Sequence, residues 1–269
     1  MKTIVVPTDY SDTALKALHL AIDIAKKSNA RLVVFNAYDL PYSQNVMTTS
    51  LLEVMRENSE LGLKDIDELL KVTGLNYQAR SILGNPIRTV KDLVKKENAD
   101  MVILGTKGAS GIEEVLIGSN AAAILHAVDC PVLAVPSEGD SGEIKDIVYA
   151  CDNRYEGEGK AMEQLRAFAQ LTGAKVSIVH VQSPDDNELH VINKLYYQRH
   201  LDGIELSFDV IAENGSVDQS LLRFAEERNA DVMALLARKY GFLLGLFHKS
   251  MTSQVAYHSR LPFLTLHEG

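Results

Sequence analysis

The chain of 269 residues contains no tryptophan, and aromatic residues make up only 6% of it. Cysteine is scarce as well, since Cys130 and Cys151 are the only two, which gives no disulfide framework and no zinc-ligand spacing. Basic residues are outnumbered, with 27 Lys and Arg against 36 Asp and Glu, for a formal net charge of -9. This charge balance argues against nucleic acid as the main partner.

Long hydrophobic runs are also missing. No apolar run approaches the roughly 18 residues that a bilayer-spanning helix needs, so we expect no membrane segment. The first residues, Met1-Lys2-Thr3, lead directly into a strand-like run and lack the architecture of a signal peptide. With two cysteines and no targeting segment, we expect a cytoplasmic location, where thiols stay reduced.

What the chain does contain is a regular alternation of two patterns. Short apolar runs, typical of buried strands, occur at residues 4–6, 32–35, 77–83, 101–104 and 132–135. Segments with helical apolar spacing separate them, at residues 13–28, 51–72, 87–96 and 119–129. This alternation predicts βαβ units, and therefore an α/β fold with a parallel sheet and helices on both faces.

The pattern restarts after a polar linker at residues 137–142. Three alignments carry the repeat: residues 147–152 over 4–9, residues 174–181 over 30–37, and residues 215–262 over 84–131. Their offsets are 143, 144 and 131, and the last one holds without a gap. Matches in this order predict two copies of one domain, at residues 1–138 and 144–269.

The most informative stretch of the first copy follows its fourth apolar run. Gly105, Gly108, Gly111 and Gly118 come first, and Ser119-Asn120 then begin a helical run. Glycine lets the backbone approach a ligand, while a helix N-terminus presents free N–H groups and the positive end of its dipole. The spacing matches neither GxxxxGK[ST] nor GxGxxG, which argues against a P-loop and a Rossmann motif. We therefore predict a phosphate site of a different kind.

The second copy has lost these glycines. At the offset of 131, Leu236 replaces Gly105, Lys239 replaces Gly108 and Lys249 replaces Gly118. A Cβ and bulk at these positions keep a phosphate away from the backbone. We therefore predict that the second copy serves as a scaffold, although its two lysines leave an electrostatic anion site open as an alternative.

The motifs of the chain resemble those of the universal stress protein family, in its ATP-binding branch. They are VPTDYS at residues 6–11, Gly84, the glycine loop at 105–119 and CPVL at 130–133. The resemblance implies two tandem open five-stranded parallel sheets, each in the strand order 3-2-1-4-5 with helices on both faces. Such a fold is Rossmann-like and adenine nucleotide alpha hydrolase-like.

The resemblance also implies a site for ATP, or for ADP or AMP, over the ends of the first and fourth strands. Asp9 and the backbone at Pro7 and Thr8 would face the adenosine, Ala37 would meet adenine through its main chain, and Gly105 would lie near the ribose. The other implied binding residues belong to the phosphate loop and the following helix: Thr106, Lys107, Gly108, Gly118, Ser119 and Asn120. Mg²⁺ would accompany the nucleotide if Glu113 and Glu114 face the site, although exposed acids on a loop are more often only solvated.

Members of the family pair domains through their fifth strands. The resemblance therefore implies an intramolecular pairing of the two copies here. Association of two such chains into a homodimer is a further expectation.

Three functions stay open at the level of the sequence. The first is a nucleotide-dependent regulatory protein of the stress response. The second is a slow ATP-hydrolysing enzyme; because no P-loop lysine and no arginine stand beside the loop, no catalytic residue is assigned. The third is an interaction scaffold that binds no nucleotide, suggested by the apolar segment at residues 242–247. A related hydrolase or an electron-transfer flavoprotein is disfavoured by the spacing from Gly105 to Ser119.

Overall fold

The computed structural model describes residues 1–39, 49–106, 118–138, 142–152, 155, 158–183, 192–237 and 261–268. The chain divides into two compact units, Met1–Cys130 and Pro131–Gly269. In the described parts of both units, no helix is long and apolar enough to cross a bilayer. The predicted domain limits, 1–138 and 144–269, remain predictions, because the strand that follows Pro131 clusters with the second unit.

The first unit alternates four strands with four helices. They are β1 (Thr3–Pro7), α1 (Asp12–Ser28), β2 (Arg31–Tyr38), α2 (Thr49–Lys71), β3 (Tyr77–Leu83), α3 (Pro86–Lys96), β4 (Met101–Gly105) and α4 (Ser119–Ala127). The strands run parallel in the order β3-β2-β1-β4. Most residues of β1, β2 and β4 are buried, as expected for central strands covered on both faces.

Local signals in the sequence set the ends of its helices. The Ser11 hydroxyl accepts a hydrogen bond from the Ala14 N–H at 3.2 Å and caps α1, which ends at Asn29 in the left-handed region at φ 52°. The Asn85 side chain caps α3, and Pro86 occupies the first turn, where its missing N–H costs nothing. These caps place the loop after each strand at one edge of the sheet.

The second unit contains β5 (Val132–Val135), β6 (Asp146–Ala150), α5 (Gly159–Thr172), β7 (Lys175–Gln182), α6 (Lys194–His200), β8 (Leu206–Ala212), α7 (Val217–Glu227), β9 (Val232–Ala237) and β10 (Phe263–His267). Its strand order is β8-β7-β6-β9-β10-β5. Only β5 is antiparallel, with Leu133 opposite Leu264, while the other pairs are parallel. The predicted fold class, an open, mostly parallel α/β sheet, is confirmed.

The two units share a pair of backbone hydrogen bonds to an aspartate, at the start of β1 in one and of β6 in the other. A carboxylate oxygen of Asp100 accepts the N–H groups of Lys2 and Thr3 at 2.6 and 2.9 Å. In the second unit Asp231 makes the same pair of hydrogen bonds to Lys145 and Asp146, at 2.7 and 2.9 Å. The loops before these aspartates turn on left-handed asparagines in both units, Asn98 and Asn229. The repeat seen in the sequence is therefore also present in the hydrogen bonds of the two units.

Helix α5 of the second unit is shorter than its counterpart α1 in the first unit. Helix α1 has 17 residues and α5 has 14, and both end at a left-handed residue at corresponding positions, Asn29 and Gly173. Helix α5 therefore begins three residues later, which at 1.5 Å per residue removes about one turn at its N-terminus. This shortening occurs at the end of the helix that faces the glycine of β4 in the first unit.

Candidate functional site

A cavity of about 250 Å³ opens in the first unit at the carboxyl ends of β1, β2 and β4. Strand β1 pairs with β2 on one side and with β4 on the other, and open parallel sheets bind ligands where the strand order reverses in this way. The cavity brings together every predicted site residue that lies in the described part of the chain: Pro7, Thr8, Asp9, Ala37, Gly105, Thr106, Gly118, Ser119 and Asn120. Two further predicted residues, Lys107 and Gly108, lie outside the described residues.

The turn after β1 holds Asp9 at the mouth of the cavity. The Thr8 N–H donates to the Phe35 carbonyl of β2 at 2.9 Å, which continues the sheet one residue past the strand. The Asp9 Oδ1 atom accepts the Ser11 hydroxyl at 2.6 Å and the Ser11 N–H at 3.2 Å. Asp9 is exposed and Thr8 is buried. The carboxylate is thus oriented by Ser11 while it stays accessible to a ligand.

Tyr10 anchors the same turn to helix α2. Its backbone is left-handed at φ 66°, and its hydroxyl donates to the Ser59 carbonyl at 2.6 Å. The ring lies against Gly62, where an added Cβ would come within 2.7 Å of it. Burial raises the pKa of the Tyr10 phenol above its ordinary value, partly offset by the hydrogen bond to Ser59. The phenol stays protonated and keeps donating near neutral pH.

Asn36 supplies a contact that the sequence did not reveal. This buried side chain donates from Nδ2 to the Thr8 carbonyl at 2.7 Å and so joins the ends of β1 and β2. A polar residue within a strand of apolar residues was the available indication, because a buried amide needs a partner. The hydrogen bond fixes the backbone that lines the cavity between Thr8 and Ala37.

Gly105 has a packing reason as well as a predicted binding role. A Cβ at this position would lie 2.8 Å from the backbone carbonyl carbon of Thr13 and 2.9 Å from its oxygen. Helix α1 therefore sits directly on the end of β4, and only glycine allows this approach. Gly105 thus shapes the floor of the cavity by letting α1 pack on the end of β4. The expected role of Gly105 was a place near the ribose, and this packing was not predicted.

The N-terminus of α4 forms one wall. Its N-cap is Gly118, and no side chain in the described residues caps the helix. The Gly118 N–H donates to the Thr106 carbonyl at 2.7 Å, which fixes the entry to the helix. The first residues, Ser119 and Asn120, are exposed and line the cavity. A helix end of this kind directs backbone N–H groups and its positive dipole at a bound anion.

Further lining residues were not predicted from the sequence. They are mainly apolar and form the inner wall: Ala14, Phe35, Pro86, Leu104, Ala121 and Ile124. Leu104 and Ala121 directly neighbour predicted residues, which is the indication that could have found these two. Within the described ranges, no group of three metal-ligating side chains occurs. Glu113 and Glu114, the predicted companions of Mg²⁺, lie outside those ranges.

The fold and the cavity together define a class of protein. It is a tandem α/β protein whose first unit combines a strand-order reversal, a close-packed glycine and a helix N-terminus around one cavity. The profile of the Universal stress protein family matches residues 1–136 and again residues 143–267. The chain therefore belongs to the universal stress protein family, in a tandem form.

Individual relatives agree with this assignment. A universal stress protein of Methanocaldococcus jannaschii is 31% identical over 138 residues, which cover 50% of this chain and 81% of that protein. A putative universal stress protein of Staphylococcus haemolyticus is 32% identical over 141 residues, covering 51% of this chain and 86% of its own. The crystal structure of a universal stress protein from Archaeoglobus fulgidus aligns with a TM-score of 0.78 at 21% identity, over 99% of this chain and 96% of that one. At this level of identity, the likeness to the Archaeoglobus fulgidus structure shows a shared fold.

Proposed function

We propose that the first unit binds an adenine nucleotide, with ATP as the first candidate, and that the chain acts as a nucleotide-dependent regulatory protein. The observation that carries the proposal is the convergence of all described predicted residues on one cavity at the strand-order reversal. Family membership is the second support. ADP and AMP share the nucleoside and differ only in charge at the phosphate end.

The phosphate end of the proposed ligand meets the N-terminus of α4. The absence of a side-chain cap among the described residues leaves the backbone N–H groups of this turn for the ligand. The nucleoside end lies toward Asp9 and Ala37, where a carboxylate and a main chain accept and donate hydrogen bonds. The apolar wall around Phe35 and Ile124 suits the face of a base. Mg²⁺ with the nucleotide remains a prediction.

The remaining expectations are part of the same proposal. Pairing of the two copies through their fifth strands is supported by the antiparallel ladder of β5 and β10 within the second unit. A homodimer and a cytoplasmic location accompany it, the latter supported by Cys130 and Cys151, neither of which forms a disulfide. Sedimentation of the purified chain checks the dimer.

Calorimetric titration of ATP into the full chain tests the nucleotide site. Gly118→Leu places uncharged bulk at the helix cap, where we expect an affinity loss of at least about tenfold, or 1.4 kcal/mol. Gly159→Leu is the matched control, because Gly159 begins α5 in the second unit and an added Cβ there meets nothing within 4 Å. Equal ATP affinity in the wild type and Gly118→Leu would contradict the proposal.

A further inference from the structure

The second unit carries a cavity of its own, about 220 Å³ in volume, at the carboxyl ends of β6, β7 and β9. Its lining is Tyr149, Ala150, Cys151, Asp152, Val179, His180, Val181, Val217, Leu221 and Leu236. These positions correspond to the cavity of the first unit, because Cys151 aligns with Thr8 and Leu236 with Gly105. The loss of the glycines has therefore changed this cavity and has not filled it.

The frame around this second cavity is built as in the first unit. The Cys151 N–H donates to the Val179 carbonyl at 2.8 Å, as Thr8 does to Phe35. His180 Nδ1 lies 3.1 Å from the Cys151 carbonyl, at the position that Asn36 takes opposite Thr8. His180 and Cys151 are both buried. The imidazole thus replaces the amide as the link between the ends of the first two strands.

The walls of the second cavity suit an apolar ligand. Valines and leucines come from β7, α7 and β9, and Leu236 introduces a branched side chain where the first unit has no Cβ. In the first unit the corresponding position is Gly105, on which α1 packs directly. No lysine or arginine lines the cavity among the described residues. The one carboxylate among the lining residues is Asp152, which is exposed and corresponds to Asp9 of the first cavity.

An aromatic cluster supports the inner wall. Tyr149 lines the cavity, is fully buried and donates its hydroxyl to Glu158 Oε1 at 2.5 Å. Its ring meets Tyr197 edge to face at 6.1 Å. Burial raises the pKa of Tyr149 and of Tyr197 well above the ordinary range, so both phenols stay neutral. Tyr149 thus presents a neutral aromatic ring to the cavity, with its hydroxyl held by Glu158.

From these observations we propose that the second unit holds a binding site for a small, uncharged ring compound. An apolar cavity of about 150 Å³ holds one benzene molecule, so this cavity of about 220 Å³ accommodates one ring with a short substituent. Leu236 places a side chain where the first unit has Gly105, which disfavours a nucleotide at this site. The site does not depend on nucleotide binding in the first unit.

Titration of the full chain with benzyl alcohol and with benzoate, followed by ligand-observed NMR, tests this proposal. The two probes match in size and differ in charge. We expect saturable binding of one benzyl alcohol per chain in the presence of saturating ATP, and benzoate weaker by at least about tenfold. No saturable binding of benzyl alcohol, displacement by ATP, or benzoate of equal affinity would each overturn the proposal.

Filling variants locate the site. Val217→Phe adds a ring at a half-buried position of the cavity wall, the first residue of α7, and should weaken benzyl alcohol binding by at least about tenfold. Val210→Phe adds the same ring at an exposed position of β8 outside the lining and should leave binding unchanged. Ala150→Leu is a second filling variant should the first not fold. Wild-type affinity in a folded filling variant would overturn the assignment.

Discussion

The cavities of the two units lie at the same strand ends and have almost the same backbone frame, yet they differ in the groups that they offer to a ligand. The first ends in an exposed aspartate, a glycine pressed against α1 and an uncapped helix N-terminus. The second has the aspartate but replaces the glycine by Leu236 and surrounds it with valine, leucine and tyrosine. On the two proposals made above, the duplicated fold keeps the position of its ligand and changes the class of ligand that it accepts.

The comparison also separates scaffold from site. Asp100 and Asp231 make the same two backbone hydrogen bonds, and Asn98 and Asn229 make the same left-handed turn. At the cavities the partners change: His180 stands for Asn36. The aspartate contacts and asparagine turns at the start of each sheet are thus retained, whereas the side chain that joins the first two strands beside each cavity differs.

Replacing Gly105 by leucine, the residue that the second unit has at this position, should have the largest effect. In Gly105→Leu the new Cβ collides with the Thr13 backbone, so the end of β4 or the first turn of α1 must move. We expect ATP affinity to fall at least about a hundredfold, or 2.7 kcal/mol, with an overpacking cost of about 1–3 kcal/mol in unfolding free energy. Calorimetry and urea denaturation measure the two effects.

The reverse exchange is the control for this variant. Leu236→Gly removes a buried side chain and should cost about 2–5 kcal/mol of stability, without creating an ATP site. ATP affinity in Gly105→Leu within about threefold of the wild type, less than 1 kcal/mol, would show that the difference at this position does not separate the two cavities.

The next largest effect is expected when the aspartates that both units share are removed. Asp100→Ala and Asp231→Ala each remove two hydrogen bonds to a carboxylate at the start of the first strand of a unit. We expect each to lower the free energy of unfolding by about 1.5–3 kcal/mol, with similar values for the two variants. Urea denaturation measures both, and a cost confined to one variant would break the equivalence of the two scaffolds.

The aspartates at the cavity mouths should differ in function. Asp9→Ala removes the oriented carboxylate that faces the proposed nucleoside, so we expect ATP to bind about tenfold more weakly. Asp152→Ala should leave ATP binding unchanged and should strengthen binding of benzoate to the second cavity. Titration of each variant with both ligands measures the contrast, and equal effects of the two variants on ATP would contradict it.

The smallest expected effect concerns acid stability of the first unit. Glu97 pairs with Arg31 at 2.6 Å and with Arg80 at 2.8 Å, and these contacts hold the pKa of Glu97 below its ordinary value. A carboxylate with a lowered pKa stabilises the fold above its unfolded value of about 4.3, and this contribution is lost as the pH falls through the folded pKa.

We therefore expect Glu97→Gln to cost about 1 kcal/mol at pH 7 and progressively less below about pH 4. Urea denaturation across pH measures this. The second unit has Arg228 at this position, paired with Asp209 at 3.2 Å, so the polarity of the pair is reversed. If the loss of unfolding free energy in Glu97→Gln did not decline at acidic pH, the ion pairs of Glu97 could not be the source of that loss.

Much of the fold could be predicted because its causes are local and repeated. The alternation of buried strands and capped helices, together with the internal repeat, was sufficient for the fold class. Predicted strand 77–83 coincides with β3, and the predicted helix 51–72 differs from α2 by at most two residues at each end. The glycine loop predicted a phosphate site, and the family resemblance implied further residues that converge with it on one cavity.

The contacts that the sequence did not reveal depend on residues distant in the chain. The close packing of Gly105 on Thr13 and the bond from Asn36 to Thr8 exist only once β1, β2, β4 and α1 are assembled. The second cavity was missed for a related reason. The loss of Gly105 at position 236 indicated a lost site, whereas the cavity that remains beside Leu236 can be seen only in the fold.

The number of nucleotides bound per chain tests the central claim most directly. Native mass spectrometry of the full chain with ATP should show one nucleotide per chain, lost in Gly105→Leu and kept in Val217→Phe. Two nucleotides per chain, or one that persists in Gly105→Leu and disappears in Val217→Phe, would contradict the assignment of the nucleotide to the first unit.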